Sequence, residues 1–293
     1  MKICDLWPIL TRVICGLNLD VTFSRDSVCI AVIIIIRNTR MKKILSAAVL
    51  AATLPQAASA LPLVDFYAGG YYWDQTITGD LSNGQADLED DLNLDAGGQN
   101  VLYVAFEHPI PVVPNIKIKS TDMSSDGTGT NVNLTVGGNT VSGTVESELD
   151  LTHVDYTMYW SLPIPVVTID FGLTLRQFDG SVTALATVPD AGSSDVYEDL
   201  DFIVPMGYLK AGVDIPLTGL SLGGDINVIS IGDTGITDYD LNMTYVLPLI
   251  PLLDVGITAG YRSFDLELDE DDFGDLSAEA TISGPYLGLS LHL

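Results

Sequence analysis

The feature that most constrains the fold is a series of short segments in which apolar residues occupy every second position. The clearest example alternates Thr, Asp, Gly, Thr and Arg with Val167, Ile169, Phe171, Leu173 and Leu175. Successive side chains of a β-strand point to opposite faces, so each segment predicts a strand with one apolar and one polar face. Helical periodicity is absent after residue 60, and no stretch there is long and apolar enough for a membrane helix. The chain is therefore predicted to be all-β.

A cleavable secretory signal peptide is predicted over residues 41–60. A Met followed by two lysines gives it a basic start, residues 44–54 are apolar, and Ala-Ser-Ala at 58–60 is a small-residue cleavage site. Cleavage there leaves residues 61–293 as the mature protein. Residues 1–40 are interpreted as a spurious extension from an upstream start site, with a genuine leader as the alternative.

The mature chain is strongly acidic. Seven of the 12 Lys and Arg residues and three of the 39 Asp and Glu residues lie before residue 61, which leaves 5 bases, 36 acids and a net charge of −31. So acidic a chain repels nucleic acid and anionic lipid at long range, and nucleic acid is not an expected partner. The charge suits divalent cations or cationic ligands, although solvation of an exported protein explains it more simply.

Short proline-containing turns alternate with mostly longer polar loops along the mature chain. Proline cannot donate a hydrogen bond to a sheet, so its segments predict turns between strands. This alternation is typical of outer-membrane barrels, which have short periplasmic turns and longer extracellular loops. The turns lie at 108–114, 162–167, 215–219 and 247–252, and the acidic or polar loops lie at 79–98, 122–146, 179–199, 232–237 and 269–275.

These boundaries predict a transmembrane antiparallel up-and-down β-barrel of about ten strands, with both termini on the periplasmic side. A soluble β-sandwich would show the same alternation of apolar and polar residues and is the alternative fold. The predicted strands cover approximately 63–78, 99–108, 115–122, 147–161, 167–178, 200–215, 220–231, 238–247, 253–268 and 276–293.

The positions of the aromatic residues favour the barrel. On the outward faces of the strands they form two groups that bracket an aliphatic band, as in the aromatic girdles at two lipid–water interfaces. The predicted girdles consist of Phe66, Phe106, Trp160 and Tyr245 near the periplasmic end and of Tyr72, Tyr239 and Tyr261 near the opposite end.

The expected partners follow from this location: outer-membrane lipid, lipopolysaccharide and the barrel-assembly machinery. The machinery would bind the last strand, whose leucines alternate up to Leu293. The acidic run 269–275 could bind divalent cations that bridge to lipopolysaccharide phosphates. The segment beginning at Asp91 does not match a calcium-binding loop, because it has Ala96 where such a loop needs Gly and Leu102 where it needs Glu. No cofactor and no structural metal site are predicted.

All five basic residues of the mature chain fall on the inward faces of predicted strands. A barrel of about ten strands is narrow, so opposite charges inside it should meet and fill the lumen. This predicts a plugged, salt-bridged barrel with a structural or surface-interaction role, with a narrow cation-favouring channel or small-solute uptake barrel as the alternative. The predicted lumen charge network comprises Glu107, Lys117, Lys119, Asp170, Arg176, Lys210, Asp214, Asp225, Asp254 and Arg262.

His153 and Asp155 also point inward, near the outer end of the fourth predicted strand. A His beside an Asp can activate water, and the ten-stranded outer-membrane proteases have acid and histidine residues at a rim cleft. Any two polar residues at i and i+2 share a face, so a rim-located surface hydrolase is the weakest of the three hypotheses. The protein is predicted not to be an enzyme, and no catalytic residue is assigned.

Several motifs together resemble a family of predicted proteobacterial outer-membrane β-barrel proteins. The resemblance covers residues 61–293 and implies barrel architecture and an outer-membrane location. The family carries no established activity or cofactor, so it implies no catalytic residue. The motifs are Leu61-Pro62, Thr152-His153-Val154-Asp155-Tyr156, Leu173-Thr174-Leu175-Arg176-Gln177-Phe178-Asp179-Gly180, Gly207-Tyr208-Leu209-Lys210-Ala211, Thr237-Asp238-Tyr239-Asp240-Leu241, Ala259-Gly260-Tyr261-Arg262-Ser263-Phe264 and Gly284-Pro285-Tyr286-Leu287-Gly288.

Overall fold

A computed structural model describes most of the predicted mature chain. The predicted signal peptide, the extension before it and the acidic run 269–275 lie outside the described residues. Among the residues that are described, no helix is long and apolar enough to cross a membrane. The structure describes residues 64–293 except 82–85, 96, 137–138, 189–191, 233, 251–252 and 269–277.

Within these residues the chain forms thirteen strands that join in one antiparallel sheet. The strands are β1 (Asp65–Leu81), β2 (Ala86–Asp87), β3 (Gly97–Glu107), β4 (Asn115–Thr121), β5 (Ser124–Val136), β6 (Asn139–Asp150), β7 (His153–Ser161), β8 (Val167–Val188), β9 (Gly192–Ile215), β10 (Leu220–Ile231), β11 (Thr234–Ile250), β12 (Leu253–Leu268) and β13 (Ala278–His292).

Ten of these strands close into a barrel. The pairing runs β1, β3, β4, β7, β8, β9, β10, β11, β12, β13 and returns to β1. At this seam between the first and last strands, Tyr67 lies opposite His292 and Leu81 opposite Ala278. The predicted closed antiparallel ten-stranded barrel is therefore confirmed. Closure matters because lipid offers no hydrogen-bond partner to an unpaired strand edge.

The outward face of the barrel is an apolar belt. Leu102, Leu173, Leu241 and Leu287 each expose about three fifths of their side-chain surface, which is typical of strands that face lipid rather than water. Phe106 packs against Phe66, with ring centroids 5.0 Å apart. The predicted girdle residues Phe66, Tyr72, Tyr239, Tyr245 and Tyr261 are exposed, whereas Phe106 and Trp160 are half-buried.

The predicted polar loops are largely wrong, because three of the five are mostly strand. Residues 124–136 and 139–150 pair as the β5–β6 hairpin, and the predicted strand 147–161 is two strands that separate at Leu151 and Thr152. Strands β8 and β9 have 22 and 24 residues, about twice the roughly 9–11 residues that cross a bilayer. Their outer halves therefore lie beyond the membrane, where they pair with each other and β8 also pairs with β6 of the hairpin.

We call this part the extracellular sheet; it consists of β5, β6, residues 179–188 of β8 and residues 192–206 of β9. At the other end of the barrel, three proline turns lie where they were predicted, between β3 and β4, β7 and β8, and β9 and β10. The fourth is shorter than predicted, since β11 continues to Ile250 after a register shift that follows Leu247. The predicted loop 232–237 is mostly strand as well, because β11 begins at Thr234.

Candidate functional site

Five charged side chains meet across the middle of the lumen. They come from five strands, and all are almost completely buried, with side-chain exposures between 0% and 7%. We call this group the charged layer. It consists of Lys119 of β4, Asp155 of β7, Arg176 of β8, Asp238 of β11 and Arg262 of β12.

Two bidentate ion pairs hold the charged layer together. The Nε and Nη2 atoms of Arg176 donate to the two carboxylate oxygens of Asp155 at 2.7 and 2.8 Å. Arg262 donates in the same way to Asp238, at 2.8 and 2.7 Å. Arg176 Nη2 also donates to Asp238 Oδ2 at 2.5 Å, which joins the two pairs. Planar charge-assisted pairs of this kind are the strongest hydrogen bonds that side chains make.

The strand register explains how one side of the charged layer forms. Lys119, Asp155 and Arg176 are directly opposite one another on β4, β7 and β8, so their side chains share the inward face. Asp238 lies three strands away from Arg176 around the barrel. The contact between Arg176 and Asp238 therefore crosses the lumen rather than following its wall. A side-chain bridge across the lumen is what the narrow-barrel argument predicts.

The charged layer carries three cations and two anions, an excess of one positive charge. Lys119 Nζ lies 3.7 Å from Asp155 and 3.9 Å from Asp238, so it adds to the charge without a close hydrogen bond. Aromatic faces help to hold the guanidinium groups, since Arg262 Cζ lies 4.7 Å from the Trp73 ring centroid.

An apolar cluster covers the extracellular side of the charged layer. The segment 86–95 folds inward and contributes buried leucines to it. This segment is held by Asp87, whose carboxylate accepts the backbone N–H groups of Glu89 and Asp90 at 2.9 and 2.8 Å. We call the cluster the apolar cap; it includes Trp73, Leu88, Leu92, Leu94, Val101, Met123, Leu151, Phe178, Met206 and Phe264.

The periplasmic side of the lumen is polar and more open. Lys117 Nζ lies 3.2 Å from Asp225 Oδ2 and faces the Tyr208 ring at 5.6 Å. Lys210 lies 3.5 Å from Asp170 and has a side chain that is 38% exposed. These two pairs are therefore less shielded from water than the charged layer.

Three acids of the predicted lumen network do not pair with a lysine or an arginine among the described residues. Glu107 accepts a hydrogen bond from the Tyr159 hydroxyl at 2.6 Å and forms no ion pair with Lys or Arg among the described residues. Asp254 lies 3.7 Å from His292 and is largely exposed, and Asp214 is exposed too. Asp214 and Asp254 lie at strand ends, where water replaces a buried partner.

Asp238 is the residue of the charged layer that the sequence analysis did not single out. It falls at the boundary between the predicted loop 232–237 and the strand predicted from 238, so no burial was expected there. Its position along the strand could have indicated its direction. Asp238 is two residues from Asp240 on the same strand and therefore shares its inward face.

The geometry around His153 does not favour a rim hydrolase. His153 is completely buried, and its Nδ1 lies 2.8 Å from the Leu151 carbonyl oxygen. Its ring packs against Phe178 with centroids 5.4 Å apart, while both oxygens of Asp155 accept from Arg176. A general base needs access to its water, and this pair has no exposed surface from which to reach one.

The same residues also lie close enough to suggest a metal site. Ligand atoms of His153, Asp155 and Asp238 all lie within 4.8 Å of one another. Both carboxylates are already bound by guanidinium groups, so a divalent cation would have to displace an arginine and would add charge to a positive layer. The donor set therefore fits an internal salt-bridge network better than a metal.

A closed antiparallel barrel with an apolar outer belt and a polar, charge-filled lumen defines an outer-membrane β-barrel protein of a Gram-negative bacterium. No protein-family model and no curated protein matches the chain, so this class stands without a family assignment.

Solved structures of outer-membrane barrels are similar to the chain at low sequence identity. The outer membrane protease OmpT from Escherichia coli is 11% identical, with a TM-score of 0.40 over 80% of this chain and 98% of that one. The toluene transporter TodX of Pseudomonas putida is 10% identical, with a TM-score of 0.34 over 78% and 89%. The outer membrane protein OprG of Pseudomonas aeruginosa is 9% identical, with a TM-score of 0.25 over 79% and 96%. At these identities the likeness concerns the fold alone.

Proposed function

We propose that this protein is a closed, non-enzymatic outer-membrane barrel that has a structural or surface-interaction role in the cell envelope. The observation that carries the proposal is the charged layer, in which Arg176 reaches across the lumen to Asp238. The apolar cap adds a second barrier directly above it. Ions and small polar solutes would have to break buried ion pairs and then cross an apolar cluster.

The extracellular sheet supports the proposed surface-interaction role. Strands β8 and β9 continue well beyond the length that a membrane crossing requires, and β5 and β6 widen the sheet that they form. Ordered structure on the outer side of a plugged barrel supports a role in which the protein contacts other molecules at the cell surface rather than in the lumen.

Single-channel recording tests whether the barrel is closed. We expect the protein purified from outer membranes to give no conductance steps in a planar bilayer, because the charged layer blocks the lumen. The variants Arg176→Ala and Arg262→Ala should leak, since each removes a guanidinium that contacts both Asp238 and an aromatic ring of the apolar cap. The variant Tyr261→Ala, on the lipid-facing side, is the matched control and should stay silent.

Steady cation-selective steps in the wild-type protein would instead support the narrow channel and would overturn the closed barrel. Circular dichroism of each variant shows whether it retains its β-structure, so that a leak from a misfolded barrel is recognised. A silent wild type with leaking, folded Arg variants is the result expected.

A further inference from the structure

The outer half of β9 has one unpaired edge. Residues 192–206 pair with β8 on one side. On the other side, β10 pairs with β9 only between Ile215 and Gly207. No other strand in the described part of the chain pairs with this edge. In an antiparallel strand, the N–H and C=O groups of every second residue point to the same side, so this edge presents a row of backbone donors and acceptors outside the membrane.

This edge lacks the lysines that commonly protect exposed strands from pairing. Pro205 removes one donor near the membrane, but further out the charged residues are all acidic, and Asp199 and Asp201 are both exposed. Tyr197 and Ile203 are also exposed, by 61% and 52%. Neither residues 120–175 nor residues 177–209 contain a Lys or Arg, so nothing basic in these segments neutralises the edge.

Two carboxylates face each other across the β8–β9 pair. Asp201 lies directly opposite Asp179, and like charges in this position repel and weaken strand pairing. A cationic side chain placed beside them would relieve the repulsion. The register thus marks a position where a positive partner stabilises the extracellular sheet.

The two faces of the edge differ in character. Residues 197, 199, 201 and 203 share one face, which carries the exposed Asp199 and Asp201. Residues 200, 202 and 204 share the other, where Leu200 and Val204 pack against the apolar cap. Phe202 packs against Phe178 with centroids 4.9 Å apart and is still 45% exposed. An added strand would therefore meet acids on one face and an apolar surface on the other.

We propose that the outer edge of β9 binds an extended polypeptide segment in which basic and apolar residues alternate, as an added β-strand. The proposal deepens the surface-interaction role put forward above and rests on it. Backbone hydrogen bonds to the edge provide affinity, and the alternating side chains provide specificity. Nucleic acid, an anionic polymer, is repelled by the same carboxylates.

Peptide binding tests the proposal. The probe is a ten-residue peptide of alternating Lys and Val with blocked termini, added to the detergent-solubilised protein at low salt and followed by fluorescence anisotropy. We expect Asp201→Lys to weaken binding about tenfold, since it replaces an attraction by a repulsion. The matched control is Glu148→Lys, which makes the same charge change on β6, a strand that is paired on both sides; we expect a loss of less than about threefold.

A second peptide separates edge pairing from charge attraction. Methylation of the backbone nitrogen at every second residue keeps the charge but removes donors from the peptide, and it should weaken binding by about tenfold or more. Equal binding of the methylated and unmethylated peptides, or equal losses in the two Lys variants, would overturn the proposal. Displacement of the peptide by millimolar Ca²⁺, but not by NaCl of equal ionic strength, would assign the acidic face to divalent cations and overturn it too.

The outcome is independent of the conductance experiment. A silent barrel that does not bind the peptide would refute only the strand-addition proposal. A conducting barrel that binds it would refute only the closed lumen.

Discussion

Replacement of Asp238 by Asn is expected to lower the free energy of unfolding by about 3–5 kcal/mol, because it leaves buried charges without their partner. Asp238 accepts hydrogen bonds from both Arg262 and Arg176. Asn has nearly the same shape but no charge, so the variant holds three cations and one anion in a volume from which water is excluded. Unfolding by urea in detergent, followed by far-UV circular dichroism, measures the loss.

The variant Asp254→Asn is the matched control for this prediction. It is the same chemical change on the neighbouring strand β12. The Asp254 side chain, however, is 60% exposed, and its partner is His292 at 3.7 Å. Exposed pairs contribute about 0–1 kcal/mol, so the control should unfold close to the wild type. If both variants unfold alike, the charged layer does not hold the barrel together.

A double substitution then separates the pair from the cost of an unpaired charge. Removing Asp238 and Arg262 together, as Asp238→Asn with Arg262→Met, should cost less than the sum of the two single losses, because neither group remains to be buried alone. Additive losses would mean that the two side chains act independently, contrary to the bidentate contact between them.

The residues that line the lumen could be predicted from the sequence because the side-chain period of a strand is two. Leu173 and Leu175 face lipid, and this alone places Arg176 inside. The alternation of inward and outward side chains does not show which inward charges meet. That depends on contacts across the lumen between strands that are far apart in the chain. The contact between Arg176 and Asp238 is of this kind, and the sequence analysis missed it.

The extracellular sheet could not be predicted for a different physical reason. Gly127, Thr128 and Gly129 have the composition of a loop, and the first eight residues of β5 include no apolar residue. A strand in water needs no lipid-facing side, because backbone pairing with its neighbours satisfies its N–H and C=O groups. The apolar pattern that identified the transmembrane strands therefore ends at the membrane boundary, although β8 and β9 continue.

Trp73 illustrates a residue whose face was predictable and whose role was not. It follows the outward-facing Tyr72, so parity places it inside. The structure shows its indole Nε1 donating to the Gly284 carbonyl oxygen at 3.1 Å, across the seam where β1 meets β13. A Cβ atom on Gly284 would overlap the Asp74 carbonyl oxygen, so the absence of a side chain there lets β1 and β13 approach each other closely.

Substitution of Trp73 by Ala should lower the free energy of unfolding by about 3–5 kcal/mol, because it opens a cavity in the apolar cap. The same change removes the aromatic face that lies 4.7 Å from Arg262 Cζ. In Trp73→Phe, an aromatic ring remains but the donor to Gly284 is lost, and we expect a smaller loss of about 1–2 kcal/mol. The measurement is again urea unfolding followed by far-UV circular dichroism.

The variant Trp160→Phe tests whether the effect belongs to the seam rather than to tryptophan in general. Trp160 lies on the lipid-facing side, stacked on Phe171 with centroids 6.2 Å apart, so detergent or lipid can fill the space that its replacement leaves. We expect its loss to stay below about 1 kcal/mol. An order of losses other than Trp73→Ala, then Trp73→Phe, then Trp160→Phe would argue against Trp73 as the side chain that secures the seam. With the expected order, one indole both links β1 to β13 through Gly284 and packs against the Arg262 guanidinium, so the same side chain contributes to closure of the wall and to the charged layer.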